Sequence, residues 1–128
     1  MRIAEVSEKF DISIDTLRYY ERVGLIPPVN RNESGFRDYN DLDIRRVEFI
    51  KCMRSAGLPI EVLTEYIRLV QEGDDTIPAR KEILMKERLK LLERMDEMQH
   101  TLDRLNYKIS IYENALLAKE QELTELTV

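Results

Sequence analysis

Tryptophan is absent from the 128-residue chain, cysteine occurs once and glycine four times. A single cysteine cannot form an internal disulfide, which favours a reducing compartment. The scarcity of glycine and the lack of tryptophan disfavour a β-sandwich. Charged residues make up 35% of the chain, which favours long solvated helices. The sequence also lacks a signal peptide and any apolar run near the roughly 20 residues that a membrane span requires. These absences predict a cytoplasmic protein with no membrane partner.

Positive charge is concentrated in one part of the chain, although the net charge is −5. Residues 16–54 carry eight arginines and lysines against six acidic residues, while residues 1–15 carry two against four. A phosphate backbone responds to the local field more than to the total charge. Nucleic-acid contacts are therefore compatible with this acidic chain, and residues 16–54 are where they are expected.

The first residues show the pattern of two short helices joined by a turn. Three apolar residues recur at helical spacing before the turn: Ile3, Val6 and Phe10. Ser13 is a natural N-cap for the second helix, and Gly24 can end that helix in a left-handed conformation. Asp11 falls in the turn, where it tolerates left-handed geometry better than most residues. Residues 2–23 are therefore predicted to form a helix-turn-helix.

Residues 24–40 are predicted to form a small β-hairpin, or wing. Leu25–Val29 and Phe36–Tyr39 are the two expected strands, and the sequence RNESG between them is typical of a turn. A hairpin that directly follows the second helix of a helix-turn-helix is the layout of a winged helix. Residues 41–73 then predict a pair of helices, the first capped by Asp41.

The carboxyl-terminal part predicts a coiled coil over residues 76–122, with Thr76 as its expected cap. Ten residues follow one another in alternating steps of four and three, and nine of them are apolar: Leu84, Arg88, Leu91, Met95, Met98, Leu102, Leu105, Ile109, Tyr112 and Leu116. We call this set the seam. A helix of about 45 residues would be roughly 68 Å long, and a second copy of the chain is its expected partner. The alternative is a helix folded back on its own domain.

Three motifs resemble those of the MerR family of bacterial transcription regulators. They are TLRYYERVGLI in the second helix and its exit, SGFRDY at the end of the wing, and GLPIEVL after the third helix. The resemblance covers the whole chain. It implies a mainly α fold, with a winged helix-turn-helix DNA-binding domain over residues 1–74 and then a long antiparallel coiled-coil dimerisation helix.

The same resemblance implies how such a protein acts. Family members bind an inverted repeat inside a promoter as a homodimer. They bend and untwist the spacer between the polymerase recognition elements so that RNA polymerase can use it. The energy of that distortion comes from protein–DNA contacts. The implied partners are double-stranded promoter DNA, a second copy of the chain and RNA polymerase.

Five side chains are the candidate DNA contacts. Arg18 is expected to be exposed on the second helix of the helix-turn-helix, called the recognition helix, where its guanidinium can bind phosphate or a guanine edge with two hydrogen bonds. Thr16 and Tyr19 lie on the same helix and offer hydroxyl groups. Arg37 and Tyr39 alternate along the second predicted strand and suit a wing that follows the DNA backbone. The alternative for each is an ordinary surface cation or a tyrosine at the edge of the core.

Two further residues of the recognition helix are worth noting. Tyr20 points about 100° further round the helix than Tyr19 and is expected to pack inward. Asp15 stands where some relatives carry a cation, and an acid there cannot hold phosphate. Asp15 is expected to cap the helix or to read a cytosine amino group, so the preferred operator stays open.

Cys52 is the candidate sensing residue. Metal and iron–sulfur sensing need more thiolate ligands than one cysteine supplies, and the single histidine, His100, lies off the seam. The context FIKCMRSAGL resembles the MerR subgroup with one cysteine that responds to aldehydes and other electrophiles. Free cysteines also pack as small hydrophobes, so both roles stay open at this point. A small ligand bound without a covalent step is a further alternative.

No enzymatic site is predicted. The sequence contains no Gly-rich phosphate loop, no evident Cys–His or Ser–His pair and no metal-binding constellation, so neither catalysis nor a cofactor is expected. A coiled-coil interaction protein that binds no DNA is the alternative from another class.

Overall fold

The structure, a computed structural model, describes the backbone of residues 1–127 and the side chains of residues 1–124. It is mainly helical, with a short 3-10 turn at Asp74–Thr76 before the last of five helices: α1 (Ile3–Phe10), α2 (Ile14–Arg22), α3 (Asp41–Ser55), α4 (Ile60–Glu72) and α5 (Ile77–Thr127). The chain divides into two compact units, residues 1–88 and the part from residue 89 onward. The first unit thus extends beyond the predicted boundary at residue 74 and includes the start of α5.

The helix-turn-helix is defined by local contacts that the sequence predicts. Asp11 ends α1 in the left-handed region, with φ 53° and ψ 48°, and its N–H donates to the Ser7 carbonyl. Ser13 caps α2 by accepting a hydrogen bond of 3.1 Å from the Thr16 N–H. Gly24 follows α2 with φ 82°, a conformation that L residues rarely adopt.

The core of the first unit joins all four short helices. Its fully buried side chains come from α1, α2, the segment after α2, α3 and α4: Val6, Leu17, Leu25, Ile26, Tyr39, Val47, Ile50 and Leu63. Because these residues come from all four short helices and from the wing, the recognition helix and the wing are held on one common core.

The two strands predicted for the wing are wrong. Among the described residues, the wing contains only isolated β-bridges, between Arg31 and Arg37 and between Arg2 and Asp38. The amides of Leu25 and Ile26 instead donate to the Tyr20 carbonyl, at 2.9 and 3.1 Å. These two amides therefore complete the end of α2, and the two prolines that follow have no N–H to donate to a partner strand.

Helix α3 is capped one residue earlier than predicted. Asn40, and not Asp41, is the N-cap, and its Oδ1 accepts from the Asp43 N–H at 2.8 Å. The Asp43 carboxylate accepts in return from the Asn40 N–H at 3.0 Å. The pair forms a capping box that fixes the point at which the wing becomes helix.

Thr76 directly precedes α5, at the position predicted for its cap, and its hydroxyl also bonds backward to the end of α4. Its hydroxyl donates to the carbonyls of Leu69 and Gly73, at 2.6 and 2.7 Å, and so completes the end of α4. Helix α5 begins directly afterwards, and Pro78 is its second residue, where a missing N–H is tolerated.

Helix α5 has 51 residues and leaves most of the seam uncovered. Of the ten seam residues, Leu91 is half-buried and the other nine are exposed. Met98 and Tyr112 are 71% and 70% exposed. Within residues 1–127, no helix is long and apolar enough to cross a membrane.

Candidate nucleic-acid interface

Helix α2 presents Arg18 outward while its opposite face packs into the core. Leu17 is fully buried and Tyr20 is 7% exposed, so Tyr20 packs inward as predicted. The Arg18 side chain is 54% exposed, and its Nη1 lies 3.7 Å from the carboxylate of Asp15, which is almost fully exposed. So exposed and distant an ion pair is weak. The guanidinium of Arg18 is therefore available to an anionic partner.

Thr16 and Tyr19 are half-buried and have partners within the first unit. The Thr16 hydroxyl accepts a hydrogen bond of 2.7 Å from the Ser13 hydroxyl. The Tyr19 ring packs against the core, and the guanidinium carbon of Arg22 lies 5.3 Å from the ring centroid. Both hydroxyl groups belong to the recognition helix that carries Arg18, but part of each side chain is engaged in contacts within the first unit.

Arg37 connects the wing to the recognition helix. Its Nε donates to Glu21 Oε1 at 3.2 Å, and the two side chains are only 19% and 18% exposed. The same Glu21 oxygen accepts from the Val29 N–H at 3.3 Å. One carboxylate on α2 thus binds both sides of the wing. Arg37 therefore has a structural role in addition to any contact that it makes with a ligand.

Tyr39 lies in the core, against the expectation of a DNA contact. Its side chain is 1% exposed, and its hydroxyl has no hydrogen-bond partner among the described residues. Burial, followed by the negative charge of Glu21, raises the pKa of Tyr39 above its usual value of 10.0. A hydroxyl so enclosed cannot reach a phosphate, so Tyr39 leaves the set of candidate contacts.

Four arginines line one cavity of about 410 Å³ in the first unit. Arg18 comes from α2, Arg31 and Arg37 from the wing, and Arg2 from the residue before α1; the other lining residues are Ile3, Ala4, Gly35 and Phe36. Arg31 is held by a hydrogen bond of 2.8 Å from its Nη1 to the Gly35 carbonyl. A concave surface lined by guanidinium groups is suited to bind phosphate.

The sequence prediction places Arg18 and Arg37 in this site but misses Arg2. Arg2 reaches the wing through its β-bridge with Asp38. That contact joins residues 36 positions apart, and no local pattern predicts it. The only indication in the sequence that Arg2 belongs to this site is its positive charge.

Cys52 lies on α3 and is exposed, and its carbonyl accepts a hydrogen bond of 3.2 Å from the Ala56 N–H. The alternative in which Cys52 fills the core of its own protomer is therefore wrong. The next side chain, Lys51, donates from Nζ to the Phe10 carbonyl and so joins α3 to the end of α1. Cys52 thus stands beside a contact between two helices of the DNA-binding unit.

Other candidate ligands are scattered. His100 is exposed, and its Nε2 lies 3.5 Å from an Asp96 oxygen. In the described part of the chain, no group of three or more histidine, cysteine, aspartate or glutamate residues could hold a metal ion.

Two family profiles match the chain. The profile described as MerR HTH family regulatory protein matches residues 1–69, and the one described as MerR, DNA binding matches residues 44–107. Together they cover the helix-turn-helix, the wing, the helical pair and part of α5.

Individual transcription regulators are also similar to this chain in sequence. The HTH-type transcriptional regulator AdhR of Bacillus subtilis is 60% identical over 93 residues, which are 73% of this chain and 66% of AdhR. The chain thus spans slightly less than two thirds of the length of AdhR. An HTH-type transcriptional regulator of Haemophilus influenzae is 31% identical over 112 residues, which are 88% of this chain and 83% of that protein.

Solved structures show the same fold. A crystal structure from Listeria monocytogenes, assigned to the MerR family of transcriptional regulators, has a TM-score of 0.91 at 48% identity and covers 100% of this chain and 97% of its own. HiNmlR, a MerR family regulator that lacks the sensor domain and was crystallised with promoter DNA, has a TM-score of 0.80 at 31% identity. That match covers 89% of this chain and 90% of HiNmlR.

These relatives are transcription regulators and not enzymes. Their similarity to this chain argues against the alternative of a coiled-coil interaction protein that binds no DNA. The chain belongs to the MerR family of DNA-binding transcription regulators, and within that family it groups with AdhR-like proteins.

Proposed function

We propose that this regulator binds an inverted repeat inside a promoter as a homodimer and activates transcription by distorting the spacer DNA, in response to aldehydes or other electrophiles that react with Cys52. The observation that carries the DNA-binding part is the cavity lined by four arginines, which come from the residue before α1, from α2 and from the wing. It sets cations beside the recognition helix, where the phosphates on either side of a major groove would lie.

The similarity to HiNmlR supports the kind of target. HiNmlR was crystallised on promoter DNA, and this chain matches it along most of its length. Bending and untwisting a spacer costs on the order of 1–6 kcal/mol by elastic estimates. Two DNA-binding units that each hold the backbone can supply that energy, which is why a dimer suits this mechanism.

Homodimer formation is supported by the uncovered seam of α5. Nine of its ten residues are exposed, and most of these are leucine, isoleucine or methionine. Apolar residues in alternating steps of three and four are covered when two helices pack as a coiled coil. A second copy of α5 offers the same pattern, so each protomer would cover the seam of the other.

Reaction at Cys52 is supported by its exposure and by its place in the DNA-binding unit. The thiolate sulfur attacks the aldehyde carbon, the carbonyl electron pair moves to oxygen, and that oxygen takes a proton from water to give a hemithioacetal. The adduct adds a polar group to α3 one residue from Lys51, which joins α3 to α1. A change in how α3 packs can then shift the equilibrium between two DNA-bound conformations.

DNA binding is tested by replacing Arg18 with alanine. Arg18→Ala should abolish operator binding in a fluorescence anisotropy titration while the oligomeric state stays unchanged. Arg68→Ala is the matched control, because the Arg68 side chain is also 54% exposed but lies on α4 in ion pairs with two glutamates. Equal affinities of Arg18→Ala and the wild type for the operator would contradict the proposed role of α2.

Sensing is tested by Cys52→Ser in a promoter transcription assay. The variant should bind the operator with wild-type affinity but lose induction by formaldehyde and methylglyoxal. Mass spectrometry of peptides from the treated proteins should show an adduct at Cys52 in the wild type that is missing in Cys52→Ser, because the sequence has one cysteine. Full induction in the variant would exclude the covalent step and favour a small ligand that binds without reacting.

A further inference from the structure

We propose that Arg2, held against the ring of Phe36, binds a backbone phosphate of the operator. Arg2 would be a second phosphate-binding element on each protomer, separate from the recognition helix. The inference rests on the proposed function, because it assumes that the arginine-lined cavity faces DNA.

The position of Arg2 is fixed by its backbone. Arg2 is the N-cap of α1, and its N–H donates to Glu5 Oε1 at 3.1 Å. Arg2 forms a β-bridge with Asp38, and the Tyr39 N–H donates to the Met1 carbonyl at 2.7 Å. The segment before α1 is thus attached to the wing, so the Arg2 side chain starts from a defined place on the surface.

The Arg2 guanidinium stacks on an exposed aromatic ring. Its central carbon lies 5.7 Å from the centroid of the Phe36 ring, and Phe36 is 59% exposed. A large apolar side chain so exposed stabilises the first unit little by burial. A stacked guanidinium keeps its N–H groups at its edges, where they can donate to a phosphate. Phe36 therefore orients the cation without occupying its hydrogen-bond donors.

Arg2 and Arg31 are the least neutralised of the four arginines in the cavity. Arg37 shares its charge with Glu21, and Arg18 lies near Asp15. Among the described residues, the Arg2 guanidinium forms no ion pair and no hydrogen bond. Arg31 donates to a carbonyl, which leaves its charge uncompensated. A phosphodiester that enters the cavity would therefore meet two uncompensated cations, Arg2 and Arg31.

The expected contact has a distinct signature in binding experiments. A cation that binds phosphate positions the protein but does not read sequence. Removing it should weaken binding to every duplex alike. The slope of log affinity against log salt should fall by about 1 per protomer, because one phosphate contact is lost. A residue that reads a base would weaken operator binding alone.

The experiment measures affinity by fluorescence anisotropy between about 50 and 200 mM salt, with the operator and with a non-operator duplex of equal length. Arg2→Gln should bind both duplexes about tenfold more weakly, as expected for a lost charge-assisted hydrogen bond, and the slope of log affinity against log salt should fall by about 1 for each protomer. Lys9→Gln is the matched control, because Lys9 lies on α1, stacks on the Phe10 ring at 5.5 Å and does not line the cavity.

A second variant separates the stacking from the charge. Phe36→Leu keeps an apolar side chain and the charge of Arg2 but removes the ring, so its affinity should fall between those of the wild type and Arg2→Gln. Circular dichroism melts check that each variant is folded. If Arg2→Gln destabilises the fold, the DNA affinity of Phe36→Leu becomes the test of the inference.

Three results would overturn the inference. Arg2→Gln could match Lys9→Gln in affinity and salt slope, it could lose affinity for the operator only, or Phe36→Leu could match the wild type. A failure of the proposed function is distinguishable from all three, because the wild-type protein itself would then show no preference for promoter DNA.

Discussion

At the scale of single residues, Tyr39 shows how a side chain chosen for contact with a ligand can serve the core. Alternation along a strand places Tyr39 beside Arg37 on an outer face. In the structure the backbone forms single bridges instead of a strand, and the Tyr39 ring turns into the core at 1% exposure. The phenol hydroxyl goes with the ring and is enclosed without a partner among the described residues.

Replacing Tyr39 with phenylalanine should therefore not weaken the fold. Removing an enclosed hydroxyl that has no partner leaves stability unchanged or raises it by up to about 1 kcal/mol, measured as the free energy of urea unfolding at pH 7. Operator affinity should not change. A large loss of affinity with intact folding would show that Tyr39 acts at the DNA after all.

The same variant should differ from the wild type at alkaline pH. Burial and Glu21 raise the pKa of Tyr39 in the folded state above the value of 10.0. The stability linked to this raised pKa is fully present below about pH 10 and is lost as the pH rises through the folded-state pKa. Tyr39→Phe should remove that part of the loss, and the difference between the two unfolding free energies should grow above about pH 10.

At the scale of helices and wing, Glu21 decides how the recognition helix and the wing are joined. Its Oε1 accepts from the Val29 N–H and from Arg37 Nε, which lie on the two sides of the wing. Both side chains of the ion pair are largely buried. A largely buried pair that loses one member leaves the other charge without compensation, and this penalty exceeds that for an exposed pair.

Glu21→Ala should destabilise the first unit by about 1–3 kcal/mol, and hydrogen exchange at the Val29 amide should accelerate. Glu21→Gln keeps an acceptor oxygen and should lose less. Glu65→Gln is the control, because its ion pair with Arg68 is exposed on α4 and should matter little. Equal stability of Glu21→Ala and Glu65→Gln would rule out the proposed link between helix and wing.

The elements that the sequence predicts are those determined by neighbours in the chain. Ser13, Gly24 and Asp11 act within one turn of their own position, and all three have the predicted conformation or contact. The strands are mispredicted because the amides of residues 25 and 26 bond to α2. Arg2 is missed because its contact with the wing spans 36 positions. Local physics thus determines the helices, and contacts distant in sequence complete the candidate site.

At the scale of the whole molecule, the two units have different sources of stability. Residues 1–88 enclose a core to which every short helix contributes. From residue 89 onward, the described side chains are almost all exposed. A helix whose apolar residues face water has little stability beyond its own hydrogen bonds, so this part is the one for which a second copy is the proposed partner.

Two arginines introduced into the seam should prevent dimer formation. Leu102→Arg combined with Ile109→Arg places charge where the partner helix is expected to pack, and sedimentation should report monomers at concentrations where the wild type is a dimer. Operator affinity should fall by more than about 100-fold, because two linked units bind far better than one. His100→Arg adds the same side chain at an exposed position off the seam and should remain dimeric. A dimeric double variant would show that the protomers meet elsewhere.

The solitary thiol on α3 has a practical consequence. A nitroxide label on Cys52 would occur once per chain and therefore twice in a dimer, and no other cysteine would have to be removed. Double electron–electron resonance would then return a single distance distribution between the protomers. Recording it with and without operator DNA would give the movement of the two DNA-binding units in nanometres, read from the position at which the signal is proposed to enter.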